Sequence, residues 1–149
     1  MVNSCMKTKI LICGLPGSGK TTIANTLSNR LIALGYVVCY LNADELREFH
    51  DDWDFGAAGR VRQAIRMRDL AHDSSADFVI ADFVAPLPQI RSIFQSDFTI
   101  FMDTIKEGRF ADTNALFEPP DFADVKATTF DASSWANTAI GKLRSGRRV

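Results

Sequence analysis

Apolar residues fall into short, nearly unbroken runs, separated by segments in which they recur every three or four positions. Runs of the first kind predict buried strands at Ile10–Cys13, Tyr36–Leu41 (YVVCYL), Phe78–Phe83 (FVIADF) and Phe98–Met102 (FTIFM). Ile23, Leu27, Leu31 and Leu34 stand at helical spacing, and Gly35 follows them where a C-terminal cap favours glycine. A short helix is predicted around Asp44–Phe49, a polar-aromatic loop at Asp51–Gly56, and a longer helix from about Ala58 to His72. Pro86 and Pro88 open a short helix through Phe94. Gly108–Asp121, rich in Gly, Asn and Pro, reads as loop, and Val125–Phe130 as an edge strand. Asp131 or Ser133 is placed to cap a last helix running to about Arg144. Strands alternating with helices predict an α/β fold of three layers, with a mainly parallel five-stranded sheet covered on both faces.

The turn after the first strand carries the most specific chemistry. Gly14-Leu15-Pro16-Gly17-Ser18-Gly19-Lys20-Thr21 is a complete G-x-x-x-x-G-K-[ST] phosphate loop between a strand and a helix. Glycines let successive backbone N–H groups point at phosphate oxygens, and the helix that follows through Thr22 turns its positive dipole end toward them. Lys20 is expected to reach the β- and γ-phosphates, and the Thr21 hydroxyl to ligate Mg²⁺. A P-loop NTPase fold binding ATP and Mg²⁺ is therefore the expectation. No N-K-x-D string occurs, which disfavours guanine.

Composition narrows the partners. With 149 residues, 46% of them hydrophobic, a single P-loop domain over 1–149 is expected, with one sheet and no second core. A formal charge of −1 disfavours broad attraction to nucleic acid or anionic lipid and favours a small-molecule substrate. No apolar stretch approaches a membrane span, and Met1–Lys7 lacks the hydrophobic region of a signal peptide, so the expected location is cytoplasmic. Cys5, Cys13 and Cys39 are odd in number and lack C-x-x-C spacing; the latter two are expected to be ordinary core residues. His50 and His72 lack partners at ligand spacing and are assigned no chemistry.

Ligands of such a sheet bind beyond the carboxyl ends of its strands. Strand two delivers Asp44, placed to orient or deprotonate an acceptor hydroxyl, or else only to cap a helix. Asp82 ends strand three, either as a second magnesium-associated carboxylate or in a surface or capping role. The helix from Ala58 carries Arg60, Arg62, Arg66 and Arg68, a set suited to an anionic substrate or, for some of them, to a solvated face. Phe55 and Phe110 lie in loops where core packing does not call for them, and such a pair either sandwiches a flat base or tucks under its own loops.

With these residues in view, the chain resembles the adenylylsulfate kinases, which transfer the γ-phosphoryl group of ATP to the ribose 3′-hydroxyl of adenosine 5′-phosphosulfate. Their L-D-G-D-x-x-R string is matched by Leu41-Asn42-Ala43-Asp44-Glu45-Leu46-Arg47. Their F-S-x-x-D-R-x-x-N-x-R-R is matched from Phe55 through Arg60 and Gln63 to Arg66, with Gln63 replacing Asn. Phe83-Val84-Ala85-Pro86 resembles F-I-S-P, and Phe110 through Pro120 resembles F-T-G-I-D-x-P-Y-E-P-P. The resemblance covers most of the chain. It implies catalytic roles for Lys20 and Asp44, substrate contacts from Asp44, Arg47, Phe55, Arg60, Gln63, Val84, Ala85 and Phe110, and an adenine clamp formed by Phe55 and Phe110.

Three departures stand out. Only Thr104–Arg109 spans the place of the family's lid segment R-D-x-K-G-L-Y, so a cation must come from Lys106, Arg109 or another subunit, which leaves a homodimer open. Ala85 replaces the family serine, and Gly59 replaces the acidic residue before Arg60. Transfer to adenylylsulfate is the expected function. A related kinase acting on a nucleoside, a sugar or a hydroxymethylpyrimidine stays open beside it, as does a nucleotide sensor without transfer.

Overall fold

The computed structural model describes residues 7–147, so the expectations for Met1–Met6, including Cys5, fall outside the described residues. Among the described residues eleven elements follow one another: β1 (Thr8–Gly14), α1 (Lys20–Ala33), β2 (Val38–Asn42), α2 (Ala43–His50), α3 (Ala57–Asp73), β3 (Phe78–Asp82), α4 (Pro88–Phe94), β4 (Phe98–Met102), α5 (Ala111–Leu116), β5 (Val125–Ala127) and α6 (Ala132–Arg147). All strand pairs are parallel, in the order β2-β3-β1-β4-β5.

Alternate strand residues feed two cores, as the two-residue period of a sheet requires. On one face Ile10, Ile12, Phe78, Ile80 and Ile100 pack with Ile23, Leu27 and Leu31 of α1 and with Leu143 of α6. On the other, Leu11, Cys13, Val79 and Ala81 pack with Ala64, Met67 and Ala71 of α3 and with Ile90 and Phe94 of α4. Burial of Cys13 pushes its thiol up to about 12, so it is a packing residue at neutral pH. Among the described residues no helix is long and apolar enough to cross a membrane.

Gly35 ends α1 as expected. Its φ is +97°, its N–H donates to Ile32 O (2.9 Å), and the Tyr36 N–H donates to Leu31 O (3.1 Å), which is the Schellman arrangement. Asp131 caps α6, accepting from the Ser134 N–H at 3.2 Å. Two expectations need correction. β2 is half-buried along its whole length because it is a sheet edge, so its apolar run reflects one packed face and Cys39 is only partly covered. The segment Gly108–Asp121 is not all loop. Residues Ala111–Leu116 close a helical turn whose Asn114 amide both accepts from Gly108 N (2.7 Å) and donates to Gly108 O (3.0 Å).

Candidate active site

The loop from Gly14 to Lys20 leaves the centre of the sheet and turns into α1. At Gly14 a Cβ would lie 2.8 Å from Ser18 Oγ and 2.9 Å from Met102 O, so only glycine fits. Ser18 is fully buried, and its Oγ has no hydrogen-bond partner among the described residues. An orphaned hydroxyl inside a cradle of backbone N–H groups is the donor set that a bound anion completes. Lys20 Nζ donates to Leu15 O (3.1 Å), within the loop. Burial lowers the Lys20 pKa, and the Asp82 and Asp44 carboxylates oppose that shift. Lys20 therefore lies in the field of both acids. Thr22 turns its carbonyl back into α1, accepting from Thr26 Oγ1 at 2.9 Å.

Beside the loop, three donors converge on one oxygen of the buried Asp82. Thr21 Oγ1 (2.9 Å), Tyr40 OH (2.7 Å) and Asn42 Nδ2 (3.1 Å) all donate to Asp82 Oδ2. Chiefly through burial, the Tyr40 phenol is pushed up to about 12, so at neutral pH it is a proton donor. Asn42 divides its amide between two tasks, since its Oδ1 accepts from Glu45 N (3.0 Å) and caps α2. The cap of α2 is therefore Asn42. Asp44 stands exposed in the first turn, free of the capping alternative.

Arg47, only 5% exposed, donates from Nη1 to Asp52 O (3.0 Å) and Asp54 O (3.2 Å), and its guanidinium lies 4.3 Å from the Phe55 ring centre. Arg60 donates from Nε to Phe55 O (2.7 Å), with its guanidinium 5.8 Å from the same ring. Phe55 thus has one cation stacked against it and stays half-exposed. Burial lowers the pKa of both arginines. Arg62 and Arg66 do not reach for an external anion. Both hold Asp52 (2.7 and 2.6 Å) and keep its carboxyl well below the usual carboxylate range, with the Arg62 hydrogen bond the larger cause. Arg68 pairs with Asp69 at 3.0 Å. Gln63, buried, donates to Ala43 O (2.9 Å) and accepts from Arg66 (3.3 Å), so it ties α3 to the start of α2. Helix spacing could not show these roles, because Asp52 lies ten and fourteen residues from its partners.

After β3, Val84 O accepts from Gly14 N (3.4 Å), and Ala85, buried with φ +45°, offers its carbonyl to Arg91 (2.7 Å). Arg91 also reaches Glu118 O (2.8 Å) and so fastens the Glu118-Pro119-Pro120 segment to this loop. The short connection after β4 packs directly on the phosphate loop. Thr104 Oγ1 donates to Ser18 O (2.7 Å), and a Cβ on Gly108 would lie 2.9 Å from Pro16 O. Arg109 lies 5.1 Å from the Phe110 ring centre and adds positive field at Lys20, whereas Lys106 points to Asp103 (3.6 Å) and is largely exposed. Phe110 is half-exposed, and no ring contact joins it to Phe55 among the described residues.

The family model for adenylylsulphate kinase matches residues 6–125. The chain belongs to the adenylylsulphate kinase family. An adenylyl-sulfate kinase of Bacillus licheniformis is 33% identical over 87 residues, covering 56% of this chain and 44% of that one. One from Vibrio parahaemolyticus is 30% identical over 118 residues, covering 76% and 54%. The chain thus spans about half the length of the relatives it matches. The fold agrees with that of the Mycobacterium tuberculosis APS kinase CysC, solved in complex with AMPPNP and APS. The TM-score is 0.81 at 19% identity, covering 93% of this chain and 98% of that one.

Set against the adenylylsulphate kinase pattern, the substitutions acquire a geometry. A Cβ on Gly59 would collide with Asp54 O and lie 2.5 Å from Asp54 Cγ, so the loop fills the volume that an acidic side chain at position 59 would take. Tyr40 and Asp52 escaped the sequence reading, since neither belongs to a matched string. Alternation along β2 puts Tyr40 and Asn42 on one face, and that was the available signal for Tyr40.

Proposed function

We propose that this chain is a kinase that uses ATP and Mg²⁺ to phosphorylate the 3′-hydroxyl of adenylylsulfate. The observation that carries the acceptor assignment is Phe55, a half-exposed ring backed by Arg47 and Arg60 at the carboxyl edge of the sheet that bears the phosphate loop. An aromatic face supported by cations suits a purine with an anionic tail better than it suits a sugar. Family membership over residues 6–125 and a fold shared with a kinase solved with AMPPNP and APS support the same assignment.

In this reading residues Gly14 to Thr22 hold the triphosphate, and Lys20 exchanges its bond to Leu15 O for phosphate oxygens. Thr21 would hold the metal, its hydroxyl lying 2.9 Å from the buried Asp82 carboxylate. When bound, Mg²⁺ supplies charge neutralisation on the transferring group. Asp44, exposed and close enough to Lys20 to act on its charge, receives or orients the acceptor proton. Arg60 faces the phosphosulfate. Arg47 acts mainly from beneath Phe55, and Gln63 acts by fixing α2 relative to α3. Val84 and Ala85 offer backbone to the acceptor, Phe110 closes the other face of the base, and Arg109 takes the part of the lid cation.

The test is isothermal titration of adenylylsulfate into ADP-loaded protein. Phe110→Ala should weaken adenylylsulfate binding by about 1–3 kcal/mol, the range for losing one stacking aromatic, with ADP affinity unchanged. No binding by the parent, or equal binding by the variant, would move the acceptor to another class, with a hydroxymethylated pyrimidine nucleotide the first competitor to titrate.

A further inference from the structure

The family string L-D-G-D has a carboxylate where this chain has Asn42, and the residue paired with Asn42 across β2 and β3 is Asp82. The geometry points to Asp82 as the metal-positioning acid of this chain, with Tyr40 and Asn42 holding it in place. The inference rests on the nucleotide reading above.

Three observations carry it. Thr21 has one hydroxyl proton and donates it to Asp82 Oδ2 at 2.9 Å, so toward a cation its oxygen is an acceptor. Tyr40 and Asn42 add two more donors to that same oxygen, and Asn42 also donates to Tyr40 OH (3.3 Å), so the carboxylate is pinned from the β2 side. Asp82 Oδ1 accepts no hydrogen bond from any described residue and is left for water bound to a metal. Asn42 is the partner that this arrangement requires. Its amide must donate to Asp82 while its oxygen caps α2; a carboxylate at position 42 could cap but not donate, and would set two acids side by side. A purely structural knot among β2, β3 and α1 would use the same bonds but would not couple to metal.

The experiment measures ADP affinity with Mg²⁺ and with chelator for the parent, Asp82→Asn, and the exchange variant Asn42→Asp/Asp82→Asn. Parent protein that binds no ADP under either condition would sink the nucleotide reading itself. If parent ADP binds and Mg²⁺ tightens it, Asp82→Asn should keep metal-free affinity within about twofold and lose at least about tenfold of the metal enhancement, while the exchange variant regains most of it. Full enhancement in Asp82→Asn, or a folded exchange variant without enhancement, overturns the inference. Should either variant fail to fold, the parent decides: Mn²⁺ with ADP should broaden the Asn42 side-chain amide resonance selectively over ADP alone, and an unbroadened signal overturns the inference.

Discussion

Gly59→Ala isolates the fit between the acceptor loop and helix α3. The added methyl would meet Asp54 O, Asp54 Cγ at 2.5 Å and Asp54 Cβ at 2.6 Å, against an ordinary carbon contact of about 3.5–4.0 Å. Because one of the obstacles is backbone, a rotamer change cannot relieve the clash, and the loop must withdraw by about 1 Å or more. Overpacking of this kind costs about 1–3 kcal/mol. At roughly 2–4 °C per kcal/mol for a chain of this length, the expected fall in Tm is about 2–12 °C. The loop also carries Phe55, whose carbonyl binds Arg60 and whose ring rests on Arg47. A displacement of about 1 Å there should cost on the order of 10²-fold in turnover with adenylylsulfate. ADP affinity should hold, because Gly59 has no part in the phosphate loop. Scanning calorimetry, a steady-state assay with adenylylsulfate and titration of ADP measure the three quantities. Parental Tm together with parental turnover would refute the packing argument.

Asp44→Asn keeps size and polarity and leaves the Asn42 cap in place, so ADP affinity and Tm should match the parent while kcat falls about 10²–10⁴-fold. A loss of only a few-fold in steady-state assays would make Asp44 a bystander in the first turn. Asp52 should give the acceptor loop an acid-sensitive anchor. Its folded pKa is depressed by Arg62 and Arg66, so its stabilisation is present above the unfolded carboxylate value of about 3.9 and is lost as pH falls through the folded one. Stability measured by denaturant between pH 6 and acid should therefore fall less steeply in Asp52→Asn than in the parent, and parallel curves would contradict the anchor.

The strand-helix alternation was legible because each strand run is bounded by turns and the phosphate loop marks the first crossover. Where side-chain tasks depend on contacts distant in sequence, legibility ended. Arg62 and Arg66 read as a basic face until Asp52 folds back between them. Asp44 also read as a cap, yet Asn42 is the residue that caps. The α5 turn was hidden because Gly108 and Asn114 signal a loop by composition, while their mutual hydrogen bonds close a helix. β2 read as fully buried because an apolar run says nothing of whether its strand lies at the edge of the sheet.

The central claim, phosphoryl transfer to adenylylsulfate, is tested most directly by product analysis. Purified chain is incubated with ATP, Mg²⁺ and, in separate reactions, adenylylsulfate, a nucleoside, a sugar and a hydroxymethylpyrimidine, with Lys20→Ala as the control. The account predicts ADP formation matched by 3′-phosphorylated adenylylsulfate, none from the other acceptors, and none in the Lys20→Ala protein, which should keep the parental Tm. Turnover with a different acceptor but not with adenylylsulfate, or none by a folded parent that binds ATP, would contradict it.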